Sequence, residues 1–312
     1  MIIKVLLVII LFLVENNFVV PVLSVVVESD LTLQTYTEKG EVAQLNYASL
    51  CIKKGYPTVA FVDLECNISC MISFSQSTCS SSLSLKRAKR IDYHPDLQCA
   101  VLATGYVPDC VYITKEYFSF SQNHRLLFSE TPSLDALSSH LSSWMTRGLY
   151  RNNNNDGERS TTPLTRSLAA SILLTKFDEQ LQKVRLACVD HTGFVADYQY
   201  YMAGSISPAN KISIKNCINP SPSSSDWHRR EQEGSCIQRF ICRVVNVLNI
   251  MENEESLNSN SCCDCEITLL NEHGAVRSSY EGTLEDKKEE ISRLVHGLSP
   301  YCYGKASSPP YY

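Results

Sequence analysis

Apolar positions recur at helical spacing near the start of the chain. An amphipathic helix is predicted over residues 41–54. Its apolar face carries Val42, Leu45 and Ile52. The basic pair before Gly55 is typical of a helix C-terminus, and glycine commonly follows a helix. Helical spacing also predicts four later helices, which cover residues 107–120, 134–148, 237–251 and 284–294.

Continuous apolar or β-branched runs between these helices predict strands. An Asp-x-x-Gly turn at residues 190–193 joins two of them. The order of helices and strands predicts two antiparallel sheets with helices packed outside each sheet, because amphipathic elements must bury one face. The predicted strands cover residues 59–62, 68–74, 97–103, 167–174, 184–189, 194–198 and 267–270.

Polar segments mark the limits of a single predicted domain over residues 28–298. Loops are predicted at residues 75–84 and 152–160, and an insert rich in Pro and Ser at 219–233. Residues 299–312 form a tail of Pro, Ser and Tyr.

The N-terminus has the features of a signal peptide over residues 1–24. Ten apolar residues follow Lys4, and small residues before position 25 suit cleavage. The apolar stretch is too short to cross a bilayer, which needs about 20 residues. Asn67 would be an N-glycosylation acceptor if the chain entered the secretory pathway, because Ser69 completes the required triplet.

Composition narrows the function classes. The net charge is −5 and the pI is about 5.8, which argues against a nucleic-acid-binding protein. The basic run at residues 86–90 is interpreted as a solvated segment before a strand, with a nuclear signal or phosphate patch as the alternative. Fourteen cysteines are many for a cytosolic chain, and an oxidising compartment would permit disulfides.

A cysteine cluster near the C-terminus raises the alternative of a zinc site. Its members are Cys236, Cys242, Cys262, Cys263, Cys265 and His273. Structural zinc usually requires two pairs of ligands at regular spacing, and the Cys-Cys-x-Cys run lacks that spacing. Free thiols or one or two disulfides are therefore the preferred interpretation, and no metal or cofactor is predicted.

The opening helix and the segment before it resemble the start of alpha-type proteasome subunits, whose pattern reads roughly F-S-P-x-G-R-L-x-Q-V-E-Y-A. The resemblance extends from Ser29 to Leu298 and includes Asp109 as a helix aspartate. Further similar segments lie in the same order as in that family, at residues 89–92, 99–105, 134–148, 162–167, 190–193 and 203–205.

The resemblance implies a four-layer α/β/β/α sandwich of the N-terminal nucleophile hydrolase type. It implies a non-catalytic subunit in a seven-membered outer ring, which stacks on a beta ring and controls substrate entry in ubiquitin-dependent degradation. The implied partners are other alpha and beta subunits and activator particles, in the cytoplasm and nucleus. The implied roles are gating for Asp30 and Tyr47, ring contact for Val42, Leu45 and Ile52, and activator binding for Lys89 or Arg90.

Two departures from the family pattern affect the gate. Glu38 stands in place of a proline and Ser29 in place of an aromatic residue, so fewer constraints are expected on the N-terminal tail. In the related beta-type subunits a threonine is the nucleophile, and its own amine is the base. Thr58 lies near that strand start, but Pro57 precedes it and residues 69–77 contain no charged residue. Thr58 is therefore predicted to be an ordinary strand residue.

The leader, the cysteines and the altered gate support an alternative. In this second hypothesis the chain is a secreted or vesicular protein that keeps the sandwich as a binding or structural module outside the proteasome.

Overall fold

The computed structural model describes residues 39–77, 90–147, 166–219, 236–256, 262–280 and 284–297. Within these ranges the chain is a mixed α/β protein with six α-helices and two antiparallel sheets. The helices are α1 (Ala43–Lys53), α2 (Val107–Phe128), α3 (Leu134–Arg147), α4 (Pro208–Ile218), α5 (Cys236–Ser256) and α6 (Leu284–Gly297). The strands are β1 (Thr58–Asp63), β2 (Ile68–Ser77), β3 (Ile91–His94), β4 (Cys99–Gly105), β5 (Ala170–Asp178), β6 (Lys183–Val189), β7 (Val195–Asp197), β8 (Tyr200–Ala203), β9 (Cys262–Asn271) and β10 (Gly274–Tyr280).

Several predictions fall on segments outside the described residues. These are the signal peptide at 1–24, Asp30, Lys89, the loop at 152–160, most of the insert at 219–233 and the tail at 299–312.

Each sheet has five strands, and every neighbouring pair runs antiparallel. The first sheet has the order β10-β9-β2-β1-β8, and the second has the order β3-β4-β5-β6-β7. The β1–β2 hairpin places Thr58 opposite Ser73. Strand β1 is buried along its whole length and β4 along almost all of it, because each sheet is covered on both faces.

Three apolar clusters form the core. Alternate residues of one strand enter different clusters, as Val59 and Ala60 do in β1. The first cluster joins the two sheets and includes Ala60, Met71, Leu102, Leu173, Leu186 and Leu270. The second joins the first sheet to α4, α5 and α6, and includes Phe61, Ile72, Ile214, Phe240, Leu269 and Ile291. The third joins the second sheet to α2 and α3, and includes Val101, Ile113, Leu137, Trp144, Ile172 and Val189.

Helix α1 lies against β4 and β5 and leads directly into β1. Its buried residues are Ala43, Ala48 and Ile52, whereas Val42 and Leu45 are half-buried. The buried side of the helix is thus shifted from the predicted apolar face towards Ala43 and Ala48, and Ile52 belongs to both. Within the described ranges, no helix is sufficiently long and apolar to traverse a membrane.

Most predicted elements are confirmed, with differences at their ends. Helix α2 continues beyond residue 120 to Phe128. Its last turn carries the exposed Leu126, Leu127 and Phe128, so it has no buried apolar stripe that a sequence pattern could detect. Strand β2 continues to Ser77, so the predicted loop at 75–84 does not begin at residue 75. The strand predicted at 97–103 begins at Cys99, after a turn of 3-10 helix. The strand predicted at 167–174 is shifted to Ala170–Asp178.

Four elements were not predicted. They are β3, β8, α4 and β10. The short strands lie at or near sheet edges and bury few side chains, so their sequences carry little apolar pattern. In α5, Ile241, Val244, Leu248 and Met251 are buried as predicted. Ile237, one turn earlier, is exposed, because the apolar cluster begins at Phe240.

Candidate functional site

The candidate site begins with the outer face of α1. Tyr47 and Leu50 are 55% and 51% exposed, and Cys51 beside them is also exposed. Residues three and four apart share one helix face, so these side chains form a single apolar surface. The opposite face is anchored by Ala48 and Ile52.

The turn at residues 190–193 lies next to α1. Asp190 Oδ1 accepts backbone N–H bonds from Thr192 at 2.8 Å and Phe194 at 3.1 Å, and Gly193 has a φ of 82°. The His191 imidazole lies beside the backbone of Leu45 in α1. Burial of the imidazole nevertheless lowers the pKa of His191, which favours the neutral ring in this contact.

A pocket of about 490 Å³ opens at the C-terminal end of α1. It lies where three connections meet: the link from α1 to β1, the link from β4 to α2, and the segment after β8. The exposed tyrosines Tyr56 and Tyr106 are on its rim, and Lys54 contributes a positive charge. The full lining is Cys51, Lys54, Gly55, Tyr56, Pro57, Gly105, Tyr106, Val107 and Ser205.

Close backbone contacts at glycine residues hold together the segments that line the pocket. A Cβ atom added to Gly55 would lie 2.9 Å from the backbone nitrogen of Gly105. A Cβ atom added to Gly204 would lie 2.1 Å from the carbonyl oxygen of Tyr56, and Gly204 has a φ of 83°. The backbone N–H of Ser205 donates to the Gly55 carbonyl at 2.9 Å. The three connections can therefore meet only because glycine leaves room for the backbone.

Arg90 lies behind the pocket rim. Its guanidinium carbon is 3.9 Å from the centroid of the Tyr56 ring, a cation–π contact. Its Nη1 donates to the Phe74 carbonyl at 2.6 Å, and its backbone N–H donates to Glu266 Oε2 at 3.0 Å. Arg90 does not line the pocket directly, but it holds a tyrosine that does.

A second arginine supports the other tyrosine. Arg166 lies 5.9 Å from the Tyr106 ring centroid and binds Asp109 through two N–H···O bonds of 2.7 Å each. Asp109 also accepts the backbone N–H of Ala169 at 2.8 Å. The hydrogen bonds to Asp109 raise the pKa of Arg166. Asp109 and the end of the segment 162–167, which both resemble alpha-type proteasome subunits in sequence, thus meet beside the pocket.

Thr58 is the first residue of β1 and lies within the chain, where Pro57 precedes it. Its side chain is buried, and its hydroxyl donates to the Ala203 carbonyl at 3.4 Å. Its nitrogen is in a peptide bond with Pro57, so it has no free amine that would act as a base. The facing strand β2 carries Ser73 opposite Thr58 and no charged side chain along its length.

Asn67 occupies the turn between β1 and β2. Its Oδ1 accepts the backbone N–H of Val184 at 2.7 Å, and its Nδ2 donates to the Gln182 carbonyl at 3.3 Å. Its φ of 55° lies in the left-handed region, which asparagine tolerates better than most residues. Ser69 of the same triplet is buried and accepts a hydrogen bond from Thr175 at 2.9 Å. In the folded chain this triplet therefore connects the two sheets.

Among the side chains that the structure describes, no group of three or more His, Cys, Asp or Glu is arranged to hold a metal ion, and the side chains of Cys262 and Cys263 lie outside that part of the chain. Ten cysteines with described side chains, among them Cys236, Cys242 and Cys265, are free thiols.

The sequence was also compared with known proteins. No protein-family model matches the chain, and no curated protein matches it.

Proposed function

We propose that this chain is a divergent, non-catalytic alpha-type subunit of the proteasome core particle. The observation that carries the proposal is helix α1, which precedes the first strand and exposes Tyr47 and Leu50 on its outer face. An exposed apolar helix face beside a buried one is typical of a subunit contact. In an alpha ring the corresponding helix lies at the contact between neighbouring subunits.

The arrangement of the core supports the fold that this function requires. One apolar cluster joins the two sheets, and two others join each sheet to its own helices. We therefore propose a four-layer α/β/β/α sandwich of the N-terminal nucleophile hydrolase type. In this interpretation α4, α5 and α6 form one outer layer, and α2 and α3 form the other.

The position of Thr58 supports a non-catalytic role. An N-terminal nucleophile needs a free amine and a nearby lysine to accept and transfer its proton. Thr58 is buried within the chain, and α1 precedes it in the sequence. The chain would thus contribute to the ring and to the entry path rather than to peptide hydrolysis.

The pocket beside α1 is the proposed place for an activator tail. Tyr56 and Tyr106 would pack against an apolar side chain, and Lys54 would pair with a terminal carboxylate. Arg90 would act by positioning Tyr56. Tyr47 would contribute to the gate together with Asp30. The proposed location is the cytoplasm and nucleus, with other alpha and beta subunits as partners.

The test is native affinity purification of the tagged chain, followed by mass spectrometry and sizing. We expect the wild-type chain to co-purify with alpha and beta subunits in a ring-sized particle. A Tyr47→Asp, Leu50→Asp double variant should lose these partners while remaining folded. Ile212→Asp is the matched control, because Ile212 is 63% exposed on α4, away from α1. A wild-type chain that is monomeric in cells and at high concentration would contradict the proposal.

A second candidate function is a secreted or vesicular binding module with the same sandwich. The fourteen cysteines and the apolar stretch after Lys4 favour it. N-terminal sequencing of the native protein separates the two hypotheses. A mature start near Val25 would support secretion, and an intact Met1 would support the cytosolic assignment.

A further inference from the structure

The turn between β1 and β2 is clamped to helix α5 by two ion pairs. Asp63 binds Arg243 at 2.7 Å, and Glu65 binds Arg239 at 2.8 Å. The two arginines are four residues apart, so they project from one face of α5. The side chain of Asp63 is 1% exposed, which makes the first pair the more strongly desolvated of the two.

The Asp63 carboxylate forms hydrogen bonds with both the turn and helix α5. Asp63 Oδ1 accepts the backbone N–H groups of Glu65 at 3.0 Å and Cys66 at 3.1 Å, while Oδ2 accepts the bond from Arg243. The turn and the helix are therefore held in a fixed relationship. Cys66 is placed by the same hydrogen bonds that place the clamp.

Cys66 and Cys236 lie on the two sides of this contact, since Cys66 follows Glu65 in the turn and Cys236 begins α5. Cys236 precedes Arg239 by three residues and Arg243 by seven, so it lies on the clamped face of α5. Cys236 is among the neighbouring groups that raise the pKa of the Cys66 thiol, so the two thiols lie near one another. Both are partly exposed to solvent, whereas Cys70, Cys99, Cys188 and Cys265 are buried.

We propose that Cys66 and Cys236 are a redox pair that forms an intramolecular disulfide by exchange with a small-molecule disulfide such as oxidised glutathione. The Cys236 thiolate attacks the glutathione disulfide, its S–S bond breaks, and one glutathione thiol is released. The Cys66 thiolate then attacks the sulfur of Cys236, which releases the second glutathione thiol. Both cysteines are oxidised, one glutathione disulfide is reduced to two thiols, and the two cysteine protons end on glutathione.

The order of the two attacks follows from the surroundings of Cys66. Burial, the negative charge of Asp63 and the neighbouring Cys236 all raise the pKa of the Cys66 thiol. Cys66 is therefore the poorer first nucleophile, and closure of the disulfide should become faster as pH rises. The clamp keeps Cys66 next to the mixed disulfide during that slower step.

The disulfide would connect two positions that are far apart in the sequence. A cross-link that closes a long loop restricts the unfolded chain strongly. We expect oxidation to raise the Tm of the full-length protein by about 5 °C. This effect is independent of ring assembly and does not rest on the proposed proteasome function.

The experiment equilibrates the purified full chain in glutathione buffers of increasing oxidation, followed by thiol blocking, proteolysis and mass spectrometry. The expected result is a linked peptide pair containing Cys66 and Cys236, lighter by two hydrogens, together with the rise in Tm. Cys66→Ser and Cys236→Ser should each abolish both changes, whereas Cys110→Ser on α2 should retain them. Should a serine variant fail to fold, peptide mapping of the wild-type chain decides alone. Alkylated Cys66 and Cys236 at every buffer ratio, or a preferred link from either residue to a third cysteine, would overturn the proposal.

Discussion

Asp109 and Arg166 are 57 residues apart in the chain, yet they form a bidentate ion pair in which both N···O distances are 2.7 Å. The side chain of Asp109 is 7% exposed and that of Arg166 is 47% exposed. The pair connects the first turn of α2 to the segment that enters β5, because Asp109 also accepts the Ala169 N–H. It therefore holds in place the two connections that support the Tyr106 side of the pocket.

The first prediction concerns this ion pair. Arg166→Ala should lower the free energy of unfolding by about 1–3 kcal/mol, because it leaves the buried Asp109 carboxylate without its partner charge. Arg166→Lys should recover only part of the loss, since an ammonium group cannot form the two parallel hydrogen bonds that the planar guanidinium forms with Asp109. Urea unfolding measures both effects.

Arg125→Ala is the matched control for the first prediction. Arg125 pairs with Asp96 at the same distance of 2.7 Å, but both side chains are more than half exposed. Its loss should change the free energy of unfolding by less than about 1 kcal/mol. Equal effects for the two arginines would show that burial of Asp109 contributes nothing.

The second prediction concerns pH and the cluster around Arg185. Arg185 binds Asp135, Asp178 and Asp197 at 2.7, 3.2 and 2.8 Å. The hydrogen bond from Arg185 lowers the pKa of Asp135. Burial alone would raise the pKa of Asp178, but the N–H groups of Leu181 and Gln180 and the Arg185 guanidinium together lower it.

A lowered carboxyl pKa contributes stability that is complete above the unfolded value, about 3.9, and is lost as pH falls through the folded value. The free energy of unfolding should therefore decrease as pH falls below about 5, and Arg185→Gln should flatten that decrease. Chemical unfolding at several pH values measures the slope. An unchanged slope in Arg185→Gln, with Arg125→Gln measured in parallel, would contradict the assignment.

The third prediction concerns the glycine contacts under the pocket. A Cβ atom on Gly105 would lie 2.2 Å from the Ala169 carbonyl oxygen, and the φ of Gly105 is 132°. Gly105→Ala should therefore cost about 3 kcal/mol or more, since the backbone itself must move. Gly40→Ala is the control, because Gly40 has a φ of 77° and no atom within 4 Å of its added Cβ. It should cost only about 1 kcal/mol.

The fourth prediction concerns Asn67. Asn67→Ala should lower the free energy of unfolding by about 2–3 kcal/mol, because it leaves the buried Val184 N–H unpaired and puts alanine at a left-handed φ. Asn67→Gly loses the same hydrogen bonds without the backbone strain, so it should be the milder change by about 1 kcal/mol. Thermal and urea unfolding compare the pair. A glycine variant as unstable as the alanine variant would exclude the contribution of backbone strain.

The fifth prediction concerns Thr58. The purified chain should not hydrolyse fluorogenic peptides or react with threonine-directed epoxyketones, because Thr58 has neither a free amine nor an exposed hydroxyl. Mass spectrometry of the treated protein checks for an adduct. Labelling at Thr58 would contradict the non-catalytic assignment.

Local pattern was sufficient for the elements whose side chains repeat with one period and are buried along their length. The apolar spacing in α3 and α5, and the apolar runs of β1 and β6, predicted these elements closely. The Asp-x-x-Gly turn was equally predictable from the sequence, because its conformation depends on Asp190 and Gly193 themselves. In each case the signal lies within neighbouring residues of the chain.

Contacts between residues far apart in the sequence determined the remaining strands and the side-chain pairs of the candidate sites. Strands β3, β8 and β10 exist because β4, β1 and β9 offer hydrogen-bonding edges, and their own sequences carry little apolar pattern. The family resemblance made Arg90 a candidate, but its stacking on Tyr56 depends on how two distant segments fold together. The same holds for Cys66 and Cys236, since nothing in the sequence distinguishes this pair among fourteen cysteines. Such contacts join residues that are remote in the chain, so their partners are determined only when the sheets and helices pack.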